Sequence, residues 1–108
     1  KKIAKIPVYD GNNFLLLDVF EIDFFKAIGN QTEIFYQERK YLSPLSLGSI
    51  EKKLNADSFV RVHKSFIVNV HRVEKLEKDK NKYQILMKNE HYIPISRSKA
   101  NIVLNLFG

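Results

Sequence analysis

The stretch Phe59-Val60-Arg61-Val62-His63-Lys64-Ser65-Phe66-Ile67-Val68-Asn69 decides how the chain is read. Apolar residues crowd its two ends, and Arg61, His63, Lys64 and Ser65 form a polar, cationic island between them. Phe59–Val62 reads as a strand of mixed pattern and Ser65–Val68 as a short apolar run, so the segment buries its ends and presents its middle. The donors of the island suit phosphate oxygens, and Lys64 is long enough to reach a base edge. The same residues admit a plainer use, in which His63 and Asn69 satisfy buried backbone groups and Lys64 is only solvated. Arg61 either holds the segment through a carboxylate or touches phosphate.

Upstream of this stretch the chain is punctuated at short intervals. Ile3–Tyr9 and Phe14–Leu17 flank the turn-forming cluster Asp10-Gly11-Asn12-Asn13 and read as a hairpin. Pro7 has no N–H to give a ladder, which puts the first strand at an edge. Asp18–Ile22 reads as a connecting turn, Asp23–Ile28 as a strand, Gly29-Asn30-Gln31 as a turn and Thr32–Gln37 as the returning strand. Glu38-Arg39-Lys40 reads as a polar tip. Leu47, Ile50 and Leu54 fall on one face of a short helix that Ser46 caps at its start and Asn55 closes.

Downstream, Val73–Leu76 and Tyr83–Met87 form a hairpin around the charged tip Glu77–Asn81, and Lys88-Asn89-Glu90 turns the chain into Tyr92–Ile95. Ile102, Val103, Leu106 and Phe107 are spaced as a helical stripe in the terminal segment. Seven or eight short strands, one clear helix and a terminal helical segment predict a mainly β domain of antiparallel sheets.

With 108 residues the chain is expected to be one domain, residues 1–108. It opens on Lys1-Lys2-Ile3 without an initiator methionine, and the expectation is a fragment of a larger protein. The absence of cysteine removes disulfide scaffolds, thiolate nucleophiles and cysteine-based zinc sites, and suits a cytoplasmic protein. No apolar run reaches the roughly 20 residues a membrane helix needs. The formal net charge is +6, and residues 55–108 hold 10 Lys and Arg against 5 Asp and Glu. A basic excess gathered in one half points to a polyanion, with nucleic acid ahead of an anionic membrane. Chemistry has little to stand on. His63, His71 and His91 match no zinc-ligand spacing, and the four glycines are too scattered for a phosphate loop. Neither a catalytic residue, a metal site nor a cofactor is expected.

The central stretch closely resembles the signature of the LytTR family, a Phe-x-Arg-x-His-Arg/Lys-Ser-Tyr/Phe-x-Val-Asn run. The likeness extends to Asp23-Phe24-Phe25, to Leu47–Leu54 and to Ile93-Pro94-Ile95-Ser96-Arg97. It implies a double-stranded-DNA-binding output domain of a bacterial transcriptional response regulator, behind an upstream receiver domain. It implies an elongated arrangement of small antiparallel sheets whose loops enter successive major grooves of promoter repeats. Carried over by position, base reading falls to Arg97, Lys64 and the turn Asn30, Gln31 and Thr32, with Thr32 the best-matched residue of that turn. Arginine pairs bidentately with guanine, and a cation between two serines at a helix start is best explained by a nearby phosphate. Phosphate contacts are expected from His63, Ser65, Lys88, Ser96 and Lys99. With no apolar stripe evident on its surface, the isolated domain is expected to be monomeric. Two other readings stand beside this one. One is a protein-interaction module of the same β fold. The other is a single-stranded nucleic-acid binder that stacks bases on Phe24, Phe25, Tyr36 and Tyr41.

Overall fold

A computed structural model describes residues 2–107. The chain runs β1 (Lys5–Asp10), β2 (Asn13–Asp18), β3 (Ile22–Ile28), β4 (Gln31–Tyr36), β5 (Arg39–Ser43), α1 (Leu47–Glu51), β6 (Phe59–His63), β7 (Phe66–Asn69), β8 (Val73–Asp79), β9 (Lys82–Met87), β10 (Tyr92–Ile95) and α2 (Ala100–Phe107). Single 3-10 turns link β2 to β3, β7 to β8 and β10 to α2. Every strand pairing is antiparallel. The strands form a two-stranded sheet β1-β2, a three-stranded sheet β10-β9-β8 and a central sheet ordered β5-β4-β3-β7-β6. The molecule measures 46 × 28 × 24 Å, elongated as the family resemblance implied.

The central sheet is buried on both faces, and adjacent residues of β3 show why. Successive side chains of a strand point to opposite faces. Phe25 therefore joins Ile34, Ile67 and Phe59 under the β1-β2 hairpin and α1, where Ile6, Val8, Leu17, Leu47 and Ile50 complete one hydrophobic cluster. Phe24 joins Val68 and Val62 on the other face, under the three-stranded sheet and α2, with Ile85, Met87, Ile93 and Val103. Phe24 stacks on Phe35 at 4.1 Å between ring centroids. A strand covered on both faces reads as a near-continuous apolar run, as Ile22-Asp23-Phe24-Phe25 does apart from its aspartate.

Asp23 is the extra residue of a β-bulge, the register passing from Ile22↔Tyr36 to Phe24↔Phe35. It is buried, and Arg72 lies 3.9 Å from its carboxylate. Desolvation pushes its carboxyl above the ordinary range, against the opposing pull of Arg72, His91 and the Gln37 amide. Asn69 ties the same region to its surroundings. Its amide nitrogen donates to the carbonyls of Phe20 (3.2 Å) and Ile22 (2.8 Å), and its side-chain oxygen accepts from the His71 N–H (3.0 Å).

Several sequence expectations shift. Arg39 and Lys40 belong to β5 rather than to a polar tip, because the turn before them is made by Gln37 and Glu38, both at positive φ (47° and 62°). The β8–β9 tip is also tighter than expected, since both strands run on until only Lys80 and Asn81 remain between them. Ser46 does cap α1, accepting from the Ser49 N–H at 3.2 Å. The helix then ends at Glu51 with Lys52 as its C-cap, before Asn55, and Leu54 reaches the core from the turn that follows. The terminal stripe forms α2, but only Val103 is buried in it, while Ile102, Leu106 and Phe107 are exposed. Tyr9, Phe14, Leu16 and Phe20 are likewise exposed around the β1-β2 hairpin. These are singly exposed apolar side chains at the β1-β2 hairpin and on α2.

Candidate nucleic-acid interface

The cationic island of the central stretch lies at the turn between β6 and β7. A second β-bulge precedes it, the register passing from Arg61↔Ile67 to His63↔Phe66 with Val62 as the extra residue. Val62 points into the core, and its carbonyl accepts from the Ser96 N–H at 2.8 Å. That bond docks the segment after β10 against the end of β6. On the other side of the turn, the Ala27 N–H donates to the Ser65 carbonyl at 2.8 Å. The turn thus also sits beside the end of β3, next to Gly29-Asn30. Three loops separated in sequence, 29–31, 63–65 and 96–99, converge at one end of the central sheet.

Within the 63–65 turn the backbone is pinned. His63 Nδ1 accepts from the Ser65 N–H at 3.1 Å, which assigns the ring proton to Nε2 if the imidazole is neutral. Arg61 Nε donates to the His63 carbonyl (3.4 Å), Nη2 donates to the Lys64 carbonyl, and Nη1 pairs with Glu51 Oε1 at 2.8 Å. Lys64 is exposed and forms no ion pair among the described residues. The plain reading therefore holds for Asn69 and for one nitrogen of His63, and leaves Lys64 free.

The segment after β10 opens with Ser96 as the N-cap of a 3-10 turn, Arg97–Lys99, that leads into α2. Ser96 makes no side-chain cap bond; its hydroxyl lies 3.4 Å from that of Ser98. Arg97 is exposed and also unpaired among the described residues. His63, Lys64, Arg61, Glu51, Ser96 and Lys99 border a shared cleft of about 450 Å³. A second cleft beside it, of about 280 Å³, is lined by His63, Arg97, Asn81 and Lys82 among others. Asn81 and Lys82, at the tip of the β8–β9 hairpin, were not anticipated as interface residues. The alternation Lys78, Lys80, Lys82 was a usable signal, but it reads equally as a solvated hairpin tip.

The other predicted residues divide. Asn30 is exposed, and Gln31 is half-buried, with its amide donating to the Tyr9 hydroxyl at 3.4 Å. Thr32 is a correction. β4 begins at Gln31, so alternation turns Thr32 inward with Ile34, fully buried, and its hydroxyl donates to the Leu45 carbonyl at 2.8 Å. A buried, committed hydroxyl offers nothing to a base. Lys88 lies apart from these residues. β10 runs antiparallel to β9 with Ile95 opposite Tyr83, so the Ser96–Lys99 segment follows the Tyr83 end of β9, whereas Lys88 follows the other end, its N–H bonded to the Arg72 carbonyl. There it borders a different cleft, with Glu38, Arg39 and Glu90. The aromatic platforms are a second correction. Phe24 and Phe25 are buried, and Tyr36 and Tyr41 are half-buried and packed edge-on at 6.2 Å, so none lies open for a base.

A model of the LytTr DNA-binding domain matches residues 12–108. The chain belongs to the LytTR family of DNA-binding domains. It is 34% identical to the heme-containing CO-sensing transcriptional regulator RcoM 1 of Paraburkholderia xenovorans (strain LB400), over 100% of this chain and 41% of that protein. It is 30% identical to the sensory transduction protein LytT of Enterococcus faecalis (strain ATCC 700802 / V583), over 90% of this chain and 40% of that protein. The chain thus spans about two fifths of the length of these curated relatives. The LytTR fold recurs in a solved LytTr DNA-binding domain of a methyl-accepting/DNA response regulator from Bacillus cereus, with a TM-score of 0.87 and 24% identity over 98% of both chains. No helix among the described residues is long and apolar enough to cross a membrane.

Proposed function

We propose that this LytTR domain reads double-stranded DNA in a sequence-specific way, as the output domain of a cytoplasmic transcriptional response regulator with a receiver domain upstream. The supporting observation is the Ser96–Val62 backbone bond, which gathers at one end of the fold two exposed cations, Lys64 and Arg97, that have no ion-pair partner among the described residues. Lys64, Arg97, Asn30 and Gln31 read bases, with Arg97 set for the bidentate contact to guanine O6 and N7. His63 through Nε2, Ser65, Ser96 and Lys99 contact phosphate and fix the register, and Lys82 extends that row. The loops enter the major groove with no recognition helix. The function is binding, without a reaction.

The isolated domain is a monomer that occupies promoter repeats one copy per half-site, with half-sites about 10 base pairs apart so that both copies lie on one face of the duplex. Selection from a randomised duplex library, followed by anisotropy titration of the selected and a scrambled duplex and of the matching single strand, tests the reading. A preferred duplex, bound well above the scrambled duplex and the single strand, is the expected outcome. Equal binding to all three overturns it.

A further inference from the structure

Glu51 is out of place in the cleft it shares with His63, Lys64 and Lys99. A carboxylate beside cations that face phosphate repels the ligand, so a purely electrostatic surface would lack it. Its partner explains it. The Arg61 guanidinium is a rigid fork, and here it spans two elements: Glu51 at the end of α1, and the carbonyls of His63 and Lys64 in the β6–β7 turn.

With the Ser65 N–H held by His63 Nδ1 and the Ser65 carbonyl held by Ala27, the polar backbone of the turn is fixed from both sides. Among the described residues the side chains of Lys64 and Ser65 make no bond to the protein, and Lys64 alone of the two carries a charge. An arginine engaged in this way has its charge matched by Glu51 and its guanidinium nitrogens taken up by protein acceptors, so although both line the cleft, Lys64 is the cation of this segment without an ion-pair partner among the described residues.

We propose that Arg61 is a positioning residue of the DNA interface: anchored by Glu51, it sets the backbone from which Lys64 reaches a base, and it makes no phosphate contact itself. The proposal rests on the DNA-reading function proposed above. It makes Glu51 a net contributor to specificity although its charge opposes binding.

The test compares Arg61→Ala, Arg61→Lys, Glu51→Ala, Lys64→Ala and the Arg61→Ala/Lys64→Ala pair on the selected and scrambled duplexes at several salt concentrations, with thermal melts as the folding control. Arg61→Ala is expected to lower affinity for the selected duplex by a larger factor than for the scrambled one, since the Glu51 carboxylate it leaves unpaired repels both duplexes alike. The double variant is expected to lose no more than Lys64→Ala alone, since residues that act through one another are non-additive. Glu51→Ala is expected to lose preference for the selected duplex even though it removes a repelling charge. Arg61→Lys keeps a charge beside Glu51 but cannot span the carboxylate and two carbonyls, so it is expected to share the loss; it carries the test if the alanine variant fails to fold.

Equal loss on both duplexes with a salt slope lower by about one unit makes Arg61 a phosphate contact and overturns the proposal. So does additivity with Lys64→Ala, full function in Arg61→Lys, or tighter selected binding in Glu51→Ala. A wild-type domain that prefers no duplex fails the DNA reading itself, before any Arg61 variant is compared.

Discussion

Arg97 and Lys99 are two residues apart and are assigned different work. Arg97→Ala is expected to cost about 1–3 kcal/mol on the selected duplex and to relax preference at one guanine. Lys99→Ala is expected to weaken all duplexes alike and to lower the salt slope by about one unit. Anisotropy on both duplexes separates them, and an Arg97→Ala variant that loses the same factor on each is a positioner instead. Asp23 offers a second single-residue test, on stability. Its raised carboxyl pKa means that the folded state holds this proton more tightly than the unfolded chain. The resulting stability is fully present below the ordinary carboxylate pKa and is lost as pH rises through the raised one. Urea melts of the wild type and of Asp23→Asn are expected to show a wild-type advantage that is largest in acid and declines toward neutrality. A difference that grows with pH contradicts the assignment. Single residues were also where the sequence misled. The resemblance placed Asn30 and Thr32 in one base-reading turn, and although the pattern gave Thr32 to the returning strand, only the observed start of β4 at Gln31 and its alternation show the threonine turned inward. Arg61 was ambiguous for a related reason, because the carboxylate that decides its role lies ten residues upstream on another element.

At the scale of elements the sequence was more readable where a turn carries its own residue chemistry. Gly11 and Gly29, both at positive φ, mark two hairpins correctly. The β4–β5 turn was placed slightly late, at Glu38-Arg39-Lys40, because Gln37 and Glu38 take the left-handed region without the Gly or Asn that would announce it. That Lys88 lies apart from the other cations was not legible, because charge is visible in a sequence while the end of a hairpin at which it lies depends on the β9–β10 register. Helix α1 is only five residues long, too short to hold itself together, so its cap has weight. Ser46→Ala removes the acceptor for the Ser49 N–H and is expected to destabilise the fold by about 1 kcal/mol. A urea titration measures it. Because α1 carries Glu51, the same variant is expected to show a parallel, smaller loss of preference for the selected duplex, and unchanged preference would detach α1 from the interface.

For the whole molecule, the long-range consequence of the basic C-terminal half is salt dependence. If about five phosphates are neutralised, log K against log salt is expected to fall with a slope near −4 to −5, and a flat dependence would remove the electrostatic part of the interface. Fold class was legible at this scale because alternating apolar runs with polar tips leave few architectures other than small antiparallel sheets. That one sheet is clad on both sides was not, since the pairing order β5-β4-β3-β7-β6 brings together strands far apart in the chain. The cladding has a kinetic corollary. Phe24 and Phe25 commit neighbouring positions of β3 to separate clusters, one beneath the hairpin and α1, the other beneath the three-stranded sheet and α2. Either cover can loosen while β3 and β7 remain protected by the opposite one. In deuterated solvent the amides of β3 and β7 should therefore be the last to label, outlasting those of both flanking layers. The two covers should label at different rates, and a ligand that stiffens the 96–99 segment should slow the three-stranded sheet and α2 more than the β1-β2 hairpin.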